Sequence, residues 1–276
     1  MPYSFEPRQM YRMPTHFGPS LGPRQGVDGN RYANTGSPNK TMYSVRFRTT
    51  ADALDKLLPP RFELVGEPVV TVTASYITNI EWLAGRGYNT LGVTCPVVFR
   101  GERANTAGAF LMVLWENLTD PIITGREELG YPKIYGELPE PRHFNDTTHC
   151  SAGWLGHQFM SMTVREQTKL DDEEMADLAM KQQGLLLYKY MPRTHDWGRH
   201  DVEYVTFTPP PDLSPYLKGA WTGEGSVSFH KSTWEELPTL FNIVNALASL
   251  PVLETRSSMT LMTVGGTDYS SQRILK

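Results

Sequence analysis

Cysteine is nearly absent from this chain of 276 residues: only Cys95 and Cys150 occur. Neither shows CxxC spacing, so dithiol redox chemistry and zinc binding have nothing to build on. Two buried free thiols in a reducing cytoplasm is the simpler reading, against a single disulfide. No apolar run approaches the roughly 20 residues that a bilayer-spanning helix needs. The opening decapeptide MPYSFEPRQM lacks an apolar core of signal-peptide length, so a cytoplasmic location is expected. Charge of one sign is missing too. Lys and Arg number 26 against 30 acidic residues, with no basic stripe for nucleic acid and no like-charge block for a tail. Repeats, low-complexity tracts and a clear domain linker are also lacking.

What is present reads as a β-rich chain. Residues 1–39 are rich in Pro, Gly, Arg and Tyr and follow neither helical nor strand period. They read as an irregular N-terminal arm ahead of a single domain over 40–276. Tyr11, Met13, His16 and Phe17 are large enough to pack on a subunit or over a pocket, and His16 is weighed as a base. Alternation and β-branched content predict strands over 41–49, 68–78, 91–100, 107–116, 150–165, 184–192, 201–208 and 252–264, with a turn into a strand over Gly219–Ser228. Thr50 caps a short helix, Ala51–Leu58, ended by Pro59 and Pro60. Leu170–Gln183 is acidic at its start and amphipathic, hence a helix. Ser232 with Glu235 makes a capping box for a third helix near 233–248, with Leu237, Leu240, Val244 and Leu247 as its buried stripe. His195, Asp196, His200 and Asp201 cluster in THDWGRHD, but a glycine tip between two strand-like runs favours a polar hairpin loop over a metal site. About ten strands and three helices predict an α+β chain, mostly antiparallel β, with two curved sheets or a barrel.

Two stretches carry candidate chemistry. In Gly125–Gly136 (GREELGYPKIYG), Lys133 lies between Tyr131, Pro132, Ile134 and Tyr135. Pro132 fixes its own φ and biases Tyr131 towards extended backbone, which would aim the lysine. A lysine attacks a carbonyl only when uncharged. Its ordinary pKa is about 10.4, so a nucleophile needs burial or a neighbouring cation. Lowering that value by about three units means disfavouring the ammonium by roughly 4 kcal/mol. The bland alternative is a turn with a solvated lysine. Arg126 and Glu127 are expected to pair and fix the turn, as structure before chemistry. In Asn79–Asn89 (NIEWLAGRGYN), Arg86 could pair with a substrate carboxylate and Tyr88 could relay a proton, with Glu81 as a further acid. The alternative there is a long hairpin loop whose aromatics cap the core. The tail GGTDYSSQRILK adds Asp268 and Tyr269, with Tyr269 either an acid/base partner or a surface residue.

The GRE…YPK stretch resembles the active-site signature of the acetoacetate decarboxylase superfamily, in which the signature ends in an imine-forming lysine. The similarity is collinear along most of the chain. It includes Tyr43–Thr49 (YSVRFRT), Ala53-Leu54, Leu57-Leu58-Pro59, Glu67–Val70, Pro96–Gly101 (PVVFRG) and Ala220–Gly223 (AWTG). Acetoacetate decarboxylase is itself the general example of a desolvated lysine nucleophile, so that expectation comes with the resemblance. The resemblance implies a closed β-barrel-like core with the lysine inside, and homo-oligomers (dimer or tetramer). It also implies departures. The decarboxylases' second lysine falls at Ile134, their arginine at Lys40, and their two active-site glutamates at Thr73 and Thr90.

A retained lysine with its decarboxylation partners replaced points to a Schiff-base lyase on pyruvate or another 2-oxo acid, of aldolase-dehydratase or hydratase type. Lys133 is the nucleophile, and Tyr88, Glu81 and Tyr269 are the acid/base candidates. Arg86, Asn89, Thr90, Thr73, Lys40, Tyr131, Leu129 and Trp221 form the expected substrate-binding set. A decarboxylase of a 3-oxo acid using the same lysine is the alternative. A non-catalytic ligand-binding barrel, with Lys133 paired to Glu127 or Glu128, is the third reading. Neither enzymatic reading calls for a metal or an organic cofactor, and no nucleic-acid or membrane partner is expected.

Overall fold

The computed structural model describes residues 4–7, 9–267, 269 and 271–276. The alternating segments become fifteen strands in one sheet. They are β1 (Asn39–Arg48), β2 (Phe62–Leu64), β3 (Val69–Thr78), β4 (Tyr88–Arg100), β5 (Asn105–Glu116), β6 (Lys133–Tyr135), β7 (Arg142–Phe144) and β8 (Thr147–Trp154). After them come β9 (His157–Lys169), β10 (Leu185–Pro192), β11 (His200–Thr208), β12 (Leu217–Phe229), β13 (Glu254–Thr255), β14 (Ser258–Val264) and β15 (Arg273–Leu275). Four short α-helices accompany them: α1 (Ala51–Asp55), α2 (Thr119–Thr124), α3 (Asp172–Met180) and α4 (Phe241–Ala248). No helix among the described residues is long and apolar enough to cross a membrane.

The strand order is β15-β11-β10-β5-β4-β3-β1-β14-β12-β9-β8-β7, with β13 on β1, β2 on β4 and β6 on β5. Pairing is antiparallel except where β5 meets β6 and β10. The expected α+β, mostly antiparallel architecture is therefore present. The expected closed barrel is not what this pairing shows, because the path has two ends, at β15 and β7. An isolated antiparallel bridge between Glu137 and Gly153 joins the segment after β6 to β8.

Period-2 alternation gives the central strands two different faces. Val45 and Phe47 of β1, Val70 and Val72 of β3, Leu91 and Val93 of β4, and Val113 and Trp115 of β5 enter the hydrophobic core. Trp115 stacks at 5.2 Å on Phe159, and each of these two rings is fully buried. Burying side chains of this size stabilises by about 1.5–3 kcal/mol each. The opposite face of the same strands is mixed in polarity and forms one wall of a cavity.

Some boundaries differ from expectation for clear reasons. The predicted strand 150–165 is a hairpin, β8–β9, because Leu155 and Gly156 both take positive φ and reverse the chain. The helix near 233–248 starts only at Phe241. Pro238 cannot continue a helix, so the preceding residues form turns. The reciprocal capping bonds fall one position later than predicted, between Thr233 and Glu236. The stripe Leu237, Leu240, Val244 and Leu247 is nevertheless buried. Cys95 and Cys150 are buried free thiols.

Candidate active site

The signature segment forms a compact turn. Helix α2 runs straight into a wider π-turn, Gly125–Leu129, which Gly130 ends at φ +81°. Only glycine adopts that backbone without strain. The chain then enters β6, which pairs parallel with the end of β5 and sets Lys133 beside Leu114. Lys133 is 8% exposed. Its Nζ lies 2.9 Å from Oε1 of Glu116, donates to the Pro121 carbonyl at 3.1 Å, and sits 5.2 Å from the centre of the Tyr131 ring. The lysine stem lies against Gly125. A Cβ there would fall 2.4 Å from its Cδ, 2.5 Å from Cε and 2.7 Å from Nζ. The signature glycine thus leaves the space that the Lys133 side chain occupies.

Glu116 is the residue that sequence reasoning missed. It is 1% exposed, and its second oxygen, Oε2, has no hydrogen-bond partner among the described residues. Burial holds its carboxyl above the ordinary range, although the Lys133 ammonium and its hydrogen bond act the other way. The signal was its position. It ends the apolar strand FLMVLWE, two residues beyond Leu114 on the same face, but only strand register reveals what that face meets.

The cavity holds about 430 Å³. Its sheet wall consists of two cross-strand rows. One runs Leu261, Met42, Ser75, Thr90, Glu116 over β14, β1, β3, β4 and β5; the next runs Thr263, Lys40, Ile77, Tyr88. Thr90 is therefore Glu116's direct cross-strand neighbour. Lys40 is half-buried and makes no ion pair or hydrogen bond among the described residues, and burial lowers its pKa. Tyr88, Tyr131 and Tyr269 also line the cavity. Burial, reinforced by Glu116, raises the Tyr88 phenol; burial, reinforced by Tyr269, raises that of Tyr131. Tyr269 is 37% exposed, so it faces both the cavity and solvent, and its phenol is raised by what enclosure it has and by Glu116. All three phenols thus remain hydrogen-bond donors at neutral pH. Leu129 closes one side, and its carbonyl accepts from Gln272 at 3.1 Å. Both ends of the sequence contribute cover. Pro23, Arg24 and Asn34 of the arm and Gly265, Gly266 and Thr267 of the tail border the space. Gly265 N–H donates to Pro38 at 2.8 Å, and Gly266 N–H donates to Asn34 at 2.9 Å.

The structure therefore brings Lys133, Tyr88, Tyr269, Tyr131, Leu129, Thr90 and Lys40 to one cavity, with Glu81 exposed at its border. It does not bring the rest of the expected set there. Arg86 is exposed and donates to Leu83 of its own loop at 3.4 Å. The Asn89 amide is spent on the Leu138 carbonyl and Glu140, each at 2.9 Å. Thr73 shares a 2.9 Å hydrogen bond with Ser44, and Trp221 packs over Gly219. His16 is exposed and away from the cavity wall, and Asp268 lies outside the described residues. The expected Arg126–Glu127 pair does not form. Arg126 donates instead to the Lys133 carbonyl at 2.9 Å, and the Glu127 carbonyl accepts from buried Lys189 at 2.5 Å.

The family model for acetoacetate decarboxylase matches residues 12–271. The chain is 25% identical to an acetoacetate decarboxylase of Chromobacterium violaceum over 229 residues, 80% of each protein. Its fold is similar to that of an acetoacetate decarboxylase from Legionella pneumophila, with a TM-score of 0.65 and 23% identity over 92% of this chain and 94% of the other. It is also similar in fold to the enduracididine biosynthesis enzyme MppR complexed with pyruvate, with a TM-score of 0.59 and 16% identity over 92% and 98% of the two chains. With a signature lysine buried in a cavity and a family match over nearly its whole length, the chain belongs to the acetoacetate decarboxylase family.

Proposed function

We propose that this protein is a lyase that forms an imine between Lys133 and pyruvate or a related 2-oxo acid, and uses it for aldol condensation with dehydration, or for the reverse hydration. One observation carries the reading: an amine and a carboxyl 2.9 Å apart, both buried, at the wall of a cavity. An amine attacks a carbonyl only when uncharged, and a carboxyl 2.9 Å away that burial holds above its ordinary range is placed to take its proton. The amine attacks the ketone carbon, and a donated proton lets the carbinolamine lose water. The iminium draws electrons from the adjacent C–H bond, and Glu116, now a carboxylate, removes that proton to leave an enamine. The enamine carbon adds to an aldehyde, loss of water gives the unsaturated imine, and hydrolysis frees Lys133. Tyr88, Tyr131 and Tyr269 supply protons to the oxygen atoms in these steps. Lys40, a cation without a partner, holds a substrate carboxylate. The cavity's enclosure, with the Glu137–Gly153 bridge drawing β8 towards β6, is our reading of the barrel-like core.

Decarboxylation of a 3-oxo acid by the same lysine is the second reading, supported by the named activity of the sequence relatives. That reaction needs no base at the carbon next to the imine, whereas the lyase reading gives Glu116 that task. Glu116 therefore weighs towards the lyase. The non-catalytic reading required pairing of Lys133 with Glu127 or Glu128, and its partner is Glu116.

The test is reduction with borohydride in the presence of pyruvate, followed by intact-mass measurement. The wild type should gain one reduced pyruvyl group and Lys133→Ala none. Glu116→Gln should still be trapped but should lose the exchange of pyruvate methyl protons in deuterated water, read by NMR. A wild type without mass gain, or a gain that survives Lys133→Ala, refutes the proposal. Carbon dioxide release from a panel of 3-oxo acids, without methyl exchange, would move the assignment to the decarboxylase.

A further inference from the structure

The N-terminal arm does more than border the cavity. Arg12 donates from Nη1 to Thr124, from Nη2 to the Leu21 carbonyl at 2.7 Å and from Nε to Ser20 at 2.5 Å, and its Nε lies 3.6 Å from Glu128. Thr124 and Glu128 stand on either side of Gly125, the residue on which the Lys133 stem rests. Thr124 is 2% exposed and lines the cavity. The Glu128 side chain is 14% exposed, and neither of its oxygens has a hydrogen bond among the described residues. Arg12 and Arg24 from the arm, and Lys189 from β10, are the cations that face it; Glu127 is the neighbouring acid.

We infer that Arg12 is a positioning residue: by gripping Thr124 and Glu128 together it fixes the turn under Lys133 and couples docking of the arm to the aim of the nucleophile. This rests on the imine reading of Lys133. A largely enclosed carboxylate without hydrogen bonds is costly unless cations lie against it, and of the three that face Glu128 only Arg12 is within ion-pair distance among the described residues. Without Arg12, the least costly relief is for the π-turn to swing Glu128 towards water. Gly125 moves with it, because it belongs to the same turn, and the floor under the amine shifts.

The experiment compares the rate of borohydride trapping at saturating pyruvate in the wild type, Arg12→Ala, Glu128→Gln and the double variant, with the folded fraction followed by near-ultraviolet circular dichroism. A misplacement of about 1 Å at a reacting group costs up to about 100-fold, so Arg12→Ala should be trapped about 10- to 100-fold more slowly per folded molecule. Because the two residues act through one pair, the double variant should be no slower than the slower single variant. Arg12→Lys, which keeps the charge but not the fork, should recover part of the rate and carries the test should the alanine variant fail to fold. A wild type that is trapped while the Arg12 variants match its rate overturns the clamp alone. So do losses in the two single variants that multiply in the double. A wild type that is not trapped overturns the imine reading and the clamp with it.

Discussion

Replacing Gly125 by alanine separates stability from chemistry. The added methyl would lie 2.4–2.7 Å from the outer stem and Nζ of Lys133, against the 3.5–4.0 Å at which carbon atoms normally rest. The backbone itself would accept the change, since Gly125 has φ −64° and ψ −40°. Alanine in a helical position is favoured over glycine by about 0.8–1 kcal/mol. The strain therefore falls on the lysine, whose stem can move by about 1 Å at a rotamer cost of about 0.5–1.5 kcal/mol, but whose Nζ would then leave its contacts with Glu116 and the Pro121 carbonyl. The backbone and rotamer terms nearly cancel, so any fall in the melting midpoint beyond a few degrees measures the loosened buried pair. The same displacement pulls the amine out of its 2.9 Å contact with Glu116. A shift of that size lowers turnover by up to about 100-fold, equivalent to about 2.7 kcal/mol at the transition state. The assay is the pyruvate trapping rate measured beside a thermal melt of the same sample. Wild-type trapping by the alanine variant would refute this account of the glycine, as would a collapsed melt with an unchanged rate per folded molecule.

Gly130→Ala should behave in the opposite way. At φ +81°, with the new methyl 2.8 Å from the Lys189 Cβ, it should lose about 2–4 kcal/mol of stability from backbone strain and overpacking together, readable as a lower denaturant midpoint. Lys40→Met removes a half-buried cation whose pKa burial already lowers; its melting midpoint should not fall, while KM for a 2-oxo acid should rise about 10-fold or more with kcat less affected. Burial pushes the Cys95 thiol up to about 12 and Cys150 up to about 11. Both values lie above the unfolded value of about 8.5, so the folded chain holds more protons between these limits. The stability linked to them is complete below about pH 8.5 and is lost as pH rises through 11–12. Denaturant titrations at pH 8 and pH 11 measure that loss, and iodoacetamide at pH 8 should label both thiols only after unfolding.

Much of the fold was legible because β-branched alternation survives the details of pairing, as β1, β3, β4, β10 and β11 illustrate. Errors came where a local signal was ambiguous. Trp154-Leu155-Gly156-His157 lacks the Asn-Gly or Asp-Gly of a typical hairpin turn, so two strands read as one. The stripe from Leu237 to Leu247 has helical spacing, but Pro238 confines the helix to its second half. In the site, Lys133 was legible from its local motif together with the collinear resemblance. Glu116 was not, because its importance depends on the pairing of β4, β5 and β6, which no local spacing encodes. Arg86 and Asn89 misled for the converse reason. Arg86 lies in the loop before β4 and Asn89 is buried at the start of that strand, and their hydrogen bonds turn out to serve the loop and the strand end themselves.

The cover over the cavity joins residues near the beginning of the sequence, Asn34 and Pro38, to Gly265 and Gly266 near its end. Contacts so distant along the chain form late in folding. A nascent polypeptide that has left the ribosome only as far as β12 already possesses both members of the Lys133–Glu116 pair, yet the chamber around them still stands open. Enclosure of the amine is therefore complete only once translation has supplied the last strands.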